Sequence, residues 1–236
     1  MRVLVLQHID VEHPGSFRDF MATDGIDWDP VELDAGEPIP PLDGYAAMLV
    51  MGGPMNVWDQ GEHPWLVAEK RAIARWVGEL GRPFLGVCLG HQLLADALGG
   101  RVQRMAAPEV GLAPVTLTAA AADDPLLAGL ASPFEALHWH GCEVSALPAD
   151  AVVLAGNGAC PIQAMRVGRR AWGIQFHVEV TPDTVPEWGR IPIYGAALER
   201  TLGPGGQARL EAETAARLQG LTAQAKIIWN NFRRAL

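Results

Sequence analysis

One cysteine lies at a tight corner of the chain, in the segment GVCLGHQ at residues 86–92. Cys88 follows a short apolar run, has glycines at positions 86 and 90, and precedes a helical pattern. Because glycine has no side chain, glycines next to a strained turn avoid clashes there. The N-terminus of the following helix favours a thiolate, and its free N–H groups can hold an oxyanion. We therefore interpret Cys88 as a displayed nucleophile; the alternative is a small buried residue at a turn.

A base for this thiol is predicted in the segment FHVEV at residues 176–180. His177 ends an apolar run and Glu179 follows two residues later, so in an extended chain both side chains point the same way. Such a carboxylate can fix the tautomer of the imidazole and stabilise its protonated form. The turn GGP at residues 52–54 follows another apolar run, and we interpret Gly53 as a second oxyanion donor; the alternative is an ordinary turn.

The elements that would position these residues alternate between apolar strands and amphipathic helices. Apolar runs without polar alternation are typical of strands covered on both faces, and they predict strands at 3–7, 46–51, 83–87, 151–156 and 171–176. Residues 111–120 and 161–167 are candidates for further, antiparallel strands. Helical spacing predicts helices over 63–81 and 91–100. This alternation predicts an open, mostly parallel α/β sheet.

The tail of the chain begins after the breaker LGPGG at residues 202–206 and reads as one long helix. Its apolar residues share one stripe: Leu210, Leu218, Leu221, Ala225, Ile228 and Phe232. We expect the stripe to pack on the domain; a surface for a partner is the alternative. The predicted organisation is a catalytic domain at 1–181 and a helical extension at 182–236, packed on that domain.

The composition excludes several classes of function. The formal net charge of the 236 residues is −9 and no Lys or Arg run stands out, which argues against nucleic-acid and membrane partners. The three cysteines fit no disulfide framework, and no apolar segment is long enough to span a membrane. We therefore expect a cytoplasmic protein.

Three residues in the segment HWHGC could instead bind a metal ion. His138, His140 and Cys142 alternate, so a strand would place them on one face, and zinc accepts such ligands. No fourth ligand is suggested nearby, however. We therefore predict that the protein holds no metal, and the role of these three residues stays open.

Taken together, GVCLGHQ, the later FHVE and the upstream GGP resemble the class I (triad) glutamine amidotransferases. The resemblance extends from about residue 40 to residue 180. Segments 137–157 and 163–180 are most similar to the stand-alone proteins related to the glutaminase domain of GMP synthase. The resemblance implies a flavodoxin-like three-layer sandwich with a mostly parallel central sheet. It also implies hydrolysis of the side-chain amide of glutamine through a γ-glutamyl thioester, with release of ammonia and without a cofactor.

The resemblance also implies roles for individual residues. Cys88 would be the nucleophile, His177 the general base and acid, and Glu179 the partner that orients His177. The backbone N–H groups of Gly53 and Leu89 would form the oxyanion hole. Gln92, one turn beyond the cysteine, would contact the bound substrate.

Two positions depart from the pattern of the family. Val178 stands where relatives often have a proline, and we expect a modest effect on the geometry because the backbone is freer without a proline. Cys142 stands where relatives often have an aspartate. Neither departure removes a member of the predicted triad.

Three functions remain open at this point. The protein could be an amidotransferase subunit that delivers ammonia to a separate synthetase, since the family resemblance and one tail helix account for the whole sequence. It could be a γ-glutamyl hydrolase that uses the same triad on γ-glutamyl peptides or conjugates. It could also be a binding module that keeps the fold, although such a module has no need of a nucleophile with its base.

Overall fold

The computed structural model describes residues 1–236 and is organised around one nine-stranded sheet. The strands are β1 (Arg2–Gln7), β2 (Asp27–Glu32), β3 (Ala47–Val50), β4 (Phe84–Val87), β5 (Arg101–Leu117), β6 (Phe134–Ala146), β7 (Ala151–Gly156), β8 (Ala164–Val167) and β9 (Ala171–Ile174). Their order across the sheet is β2-β1-β3-β4-β9-β8-β7-β5-β6. The helices are α1 (Phe17–Thr23), α2 (Trp65–Arg75), α3 (Leu89–Ala97), α4 (Thr184–Trp188), α5 (Pro192–Leu202) and α6 (Gly206–Arg233).

The sheet is mixed, with a parallel half and an antiparallel half. Strands β2, β1, β3, β4 and β9 pair in parallel, whereas β8, β7, β5 and β6 extend the sheet with antiparallel pairs. Every strand that the apolar runs predicted is present, and the two candidate strands belong to β5 and β8. Because parallel strands share a direction, the carboxyl ends of β3 and β4 meet at one edge of the sheet.

Two strands and helix α1 were not predicted from the sequence, and α4 and α5 lie in an extension that was predicted to be helical without bounds for either helix. Strand β2 lies at the edge of the sheet and only Val31 in it is fully buried, so its sequence lacks a continuous apolar run. Strand β6 forms a long antiparallel pair with β5 in which the register shifts, and its alternation is correspondingly weak. Helices α1 and α4 have only seven and five residues, and α5 lacks a long periodic stripe.

Successive side chains of the parallel strands enter two separate cores. In β1, Val3 and Val5 pack in one core with α1 and α6, while Leu4 and Leu6 pack in the other with α2 and α3. Period-2 alternation of buried apolar residues on both faces requires helices on both faces of the sheet. The predicted three-layer α/β sandwich is thereby confirmed.

The helices after residue 181 lie against the sheet rather than away from it. In the long helix α6, the stripe residues Leu210, Leu221, Ala225, Ile228 and Phe232 are all buried, and Leu218 is half-buried. Helix α5 contacts β5 and α6. None of the helices combines the length and apolarity needed to cross a membrane.

Candidate active site

The corner at Cys88 joins the buried strand β4 directly to helix α3. Cys88 has φ 52° and ψ −103°, a backbone conformation that costs a non-glycine residue about 1–3 kcal/mol. The neighbouring glycines are required by close backbone contacts. A Cβ atom on Gly86 would lie 2.3 Å from the carbonyl oxygen of Gly90, and one on Gly90 would lie 2.0 Å from that of Val50. Only glycine fits at both positions, and the thiol is raised above the sheet edge as a result.

His177 and Glu179 come together just beyond the end of β9. His177 exchanges two backbone hydrogen bonds with Leu137 of β6, at 2.8 and 3.2 Å, which fixes the imidazole relative to the sheet. Its Nδ1 lies 2.6 Å from Glu179 Oε1. The other carboxylate oxygen, Oε2, accepts a hydrogen bond of 2.9 Å from the backbone N–H of Val178. A proline at position 178 would have no N–H to donate, so here the valine helps to hold the carboxylate.

The electrostatics of the site favour a proton on His177. Burial lowers the pKa of His177, but the charge of Glu179 and the interaction with Cys88 outweigh it and hold the pKa well above its ordinary value. Burial raises the pKa of the Cys88 thiol, and the nearby His177 partly offsets this effect. An imidazolium beside the thiol stabilises the thiolate that burial disfavours.

Two backbone N–H groups next to Cys88 lack acceptors within the protein. Gly53 and Leu89 line the same cavity as Cys88, and neither N–H takes part in a backbone hydrogen bond. The turn that carries Gly53 and the first turn of α3 are joined by a hydrogen bond of 3.1 Å from Gly90 N–H to Met51 O. The two donors are therefore placed on adjacent, connected segments.

The cavity over Cys88 has a volume of about 510 Å³. Helix α5 forms one wall through Ile193, Tyr194, Ala197 and Arg200, and strands β5 and β6 contribute much of the rest. Helix α5 therefore covers the cysteine.

Gln92 lines this cavity and its side chain is held in place. Its Nε2 donates to Gln175 Oε1 at 3.0 Å and to the backbone oxygen of Cys142 at 3.2 Å. With its amide nitrogen occupied, Gln92 is a fixed part of the cavity wall one turn from the cysteine.

The three residues of the predicted H-x-H-x-C pattern do not converge. His138 and His140 instead meet Glu109 of β5, and the ligand atoms of these three residues all lie within 4.8 Å of one another. Cys142 donates a hydrogen bond to Asn56 Oδ1 at 3.1 Å. Sequence spacing could not reveal Glu109, because the pairing of β5 with β6 brings it to the histidines.

Hydrogen bonds within the protein already satisfy the carboxylate of Glu109. Oε1 accepts from Asn157 Nδ2 at 2.7 Å, and Oε2 accepts from Gln163 Nε2 at 2.8 Å. His140 Nε2 lies 3.1 Å from Oε2. Burial lowers the pKa of His138 to about 4, so this imidazole is neutral at neutral pH. The arrangement is a polar network next to the cavity, and the absence of a metal stays a prediction.

Three residues around the predicted triad were not identified from the sequence. The aromatic ring of Trp188 lies edge-on to His177 with ring centroids 4.6 Å apart, and its Nε1 donates to Val11 O at 3.0 Å. The hydroxyl of Tyr194 donates to Glu12, a buried carboxyl in the loop after β1. Burial raises the pKa of Glu12, and the nearby charge of His177 opposes this. The acidic residues Asp10 and Glu12, shortly after the buried strand β1, were a signal for Glu12; no spacing pointed to the two aromatic residues.

The fold and this site define a class of α/β proteins that display a cysteine between a parallel strand and a helix, beside a His–Glu pair. Within that class, residues 24–187 match the family model described as Glutamine amidotransferase class-I, and the chain belongs to this family.

Individual relatives agree with this assignment. The glutamine amidotransferase-like protein YfeJ of Salmonella typhimurium is 35% identical over 78% of this chain and 78% of its own length. A glutamine-hydrolyzing GMP synthase subunit of Halobacterium salinarum is 37% identical over 65% of this chain and 78% of its own length. The crystal structure of a glutamine amidotransferase from Thermotoga maritima superposes with a TM-score of 0.88 at 25% identity, covering 98% of this chain and 97% of that one. The chain also matches full-length GMP synthases, of which it spans about a quarter.

Proposed function

We propose that the protein hydrolyses a γ-glutamyl amide bond, with the side-chain amide of glutamine as the first candidate substrate and ammonia as the product. The observation that carries the proposal is the position of Cys88, on a strained corner in a cavity that also contains the free N–H groups of Gly53 and Leu89, near a histidine backed by a carboxylate. Family membership supports the same chemistry. A nucleophile, a base and an orienting acid are the parts that acyl transfer requires.

The proposed reaction begins when the Cys88 thiolate attacks the amide carbon and forms a C–S bond. The N–H groups of Gly53 and Leu89 hold the resulting oxyanion, and a donor of this type contributes about 3 kcal/mol. His177 then donates its proton to the nitrogen as the C–N bond breaks, and ammonia leaves.

A γ-glutamyl thioester remains on Cys88 and is removed by water. Neutral His177 takes a proton from a water molecule, whose oxygen attacks the thioester carbon. The C–S bond breaks, glutamate leaves, and the proton on His177 restores the starting state. Glu179 stabilises the imidazolium in both halves of the reaction.

A second candidate is the hydrolysis of γ-glutamyl peptides or conjugates by the same triad. The cavity of about 510 Å³ favours it, because a cavity of this size falls within the range of about 300–1,000 Å³ that accommodates drug-sized ligands. It leaves room for a leaving group larger than ammonia.

We further propose which part of the chain carries the catalytic residues, which partner the protein has and where it is located. Residues 1–181 would carry the catalytic residues, with residues 182–236 as the extension that covers them. The similarity to a GMP synthase that is built from separate subunits supports a separate ammonia-accepting synthetase as a partner. All three cysteines are unpaired, which supports a reducing, cytoplasmic location.

The test measures glutamate and ammonia released from glutamine and from a panel of γ-glutamyl compounds. We expect Cys88→Ala to lose on the order of 10³-fold or more in kcat/KM on every substrate that the wild type cleaves. Cys160→Ala is the matched control, because Cys160 is a buried free thiol outside the cavity. Equal turnover by Cys88→Ala and the wild type would contradict the proposal.

A further inference from the structure

The cavity beside Cys88 carries positive charge that the proposed reaction does not use. Its 19 lining residues include Arg104 and Arg200 but no aspartate or glutamate. The chain as a whole is acidic, with 27 Asp and Glu against 18 Lys and Arg. A cleft lined by one sign of charge concentrates ligands of the opposite sign. The cavity is therefore suited to a substrate with negative charge beyond that of glutamine, which is a zwitterion.

Neither arginine makes an ion pair or a side-chain hydrogen bond within the protein. The ion pairs made by arginines in the structure involve Arg2, Arg75, Arg166, Arg217 and Arg233. Arg104 instead lies over the ring of Trp58, 6.0 Å from its centroid, which supports the guanidinium and leaves its N–H edge free. A guanidinium presents its donors in a fork that matches a carboxylate.

The two arginines lie at the mouth of the cavity and the cysteine at its floor. Both arginines are exposed, whereas Cys88 and Tyr194 are buried. Arg200 follows Tyr194 by six residues on α5, which corresponds to about 9 Å along the helix axis. Tyr194 itself reaches Glu12 next to the triad. A group held at the mouth therefore belongs to a part of the substrate that extends away from the reacting carbon.

The mouth also exposes apolar surface. Only three large apolar side chains are exposed in the protein, and two of them lie here. Ile193 lines the cavity and is 55% exposed, and Trp58, under Arg104, is 41% exposed. Apolar side chains next to unpaired guanidinium groups fit an organic leaving group that ends in an anion.

We propose that Arg104 and Arg200 bind a carboxylate on the leaving-amine side of the substrate, so that the substrate class is γ-glutamyl amino acids or peptides. The proposal rests on the proposed function, because the same bond is broken. His177 protonates the leaving nitrogen as the C–N bond breaks, and the amino acid or peptide departs as an amine in place of ammonia. The γ-glutamyl group has an α-carboxylate of its own, so the experiment must separate the two carboxylates.

The test compares the binding of two ligands to the Cys88→Ala protein by calorimetry. γ-Glutamylglycine and γ-glutamylglycinamide carry the same α-carboxylate and differ in charge only on the leaving side. We expect γ-glutamylglycine to bind about tenfold more tightly, as a charge-assisted hydrogen bond to a carboxylate would give. Adding Arg104→Ala or Arg200→Ala should reduce this ratio towards one, and Arg200→Glu should invert it.

Arg101→Ala is the matched control, because Arg101 is exposed on the same strand as Arg104 but does not line the cavity. It should keep the tenfold ratio. Thermal unfolding of each variant checks that the fold is retained, which the exposed positions favour. Equal affinity for the two ligands, or a ratio that neither arginine affects, overturns the proposal.

One further outcome also overturns the proposal that Arg104 and Arg200 bind a carboxylate on the leaving side. If removing the arginines weakens both ligands by the same factor, they bind the α-carboxylate and the assignment to the leaving side is wrong. Because binding is measured without the nucleophile, the result does not depend on turnover. The proposed function fails separately, if the wild-type protein cleaves neither glutamine nor γ-glutamylglycine.

Discussion

The corner at Cys88 and the helices that cover it meet at one site but are held by different forces. At the corner the contacts are between backbone atoms: Cys88 N–H donates to Ile174 O at 2.8 Å, and Gly90 N–H donates to Met51 O at 3.1 Å. In the cover, helices α4 to α6, the contacts to the site are made by side chains, above all Trp188 and Tyr194. Backbone contacts fix where the proposed nucleophile lies, and side chains from late in the chain surround it.

This difference predicts how the two regions respond to substitution. A change at the corner, or in the pair behind it, alters the position or charge of a reacting group and should cost orders of magnitude in rate. A change in the cover alters packing around groups that stay in place, so its cost should be smaller. The predictions that follow test this contrast.

The largest effect is expected from Glu179→Gln. This change keeps the shape of the side chain but removes the charge that holds the pKa of His177 well above its ordinary value. Burial then dominates, the pKa of His177 falls, and the imidazolium that stabilises the thiolate is lost at neutral pH. We expect kcat/KM on the best substrate to fall on the order of 10³-fold.

Alkylation of Cys88 by iodoacetamide, followed against pH, provides a second measure of the same effect. In the wild type the thiolate is supported up to the raised pKa of His177, whereas in Glu179→Gln this support ends at lower pH. Reaction at neutral pH should therefore be slower in the variant. Identical pH profiles for the two proteins would show that Glu179 does not tune the pair.

The contrast between the regions also explains what could be predicted from the sequence. The residues that form the corner are close together in the sequence, because Gly86, Cys88 and Gly90 lie within five residues. The spacing of the two glycines indicates a strained turn. His177 and Glu179 are two residues apart, so their contact at 2.6 Å follows from an extended chain. Four of the five parallel strands, all except the edge strand β2, were predicted for a similar reason, since burial on both faces produces continuous apolar runs.

Contacts that depend on long-range pairing could not be predicted. Glu109 reaches His138 and His140 only because β5 pairs with β6, and neither strand shows clear alternation. Tyr194 and Glu12 are 182 positions apart in the sequence, and no pattern in the segment that forms α5 singles out Tyr194. The volume and charge of the cavity likewise require the relative placement of α5 and β5, which no local pattern encodes.

The next largest effect is expected on the free energy of unfolding, when a glycine of the corner and a glycine of the cover are each replaced by alanine. Gly90→Ala places a Cβ atom 2.0 Å from the backbone oxygen of Val50, which cannot move without distorting β3. We expect this change to lower the free energy of unfolding by about 2–3 kcal/mol. Gly220→Ala in α6 meets no atom within 4 Å and should raise it by about 0.5–1 kcal/mol. Urea unfolding measures both, and a corner that tolerates alanine as well as α6 does would refute the argument from close backbone contacts.

The smallest effect is expected in the cover, from Trp188→Phe. Phenylalanine keeps an aromatic ring next to His177 but loses the hydrogen bond from Nε1 to Val11 O, which ties α4 to the loop that carries Glu12. We expect kcat/KM to fall about tenfold, less than the roughly hundredfold that a misplacement of 1 Å costs. Trp229→Phe in α6 is the matched control, because it loses a hydrogen bond to Asp24 at 2.8 Å from a tryptophan that packs on Phe17 and Phe232 and not on His177. It should lower stability without changing kcat/KM. If Trp188→Phe and Trp229→Phe reduce kcat/KM equally, the cover acts on the site through general stability. If Trp188→Phe reduces kcat/KM as much as Glu179→Gln does, Trp188 belongs with the groups that position the proposed reacting atoms.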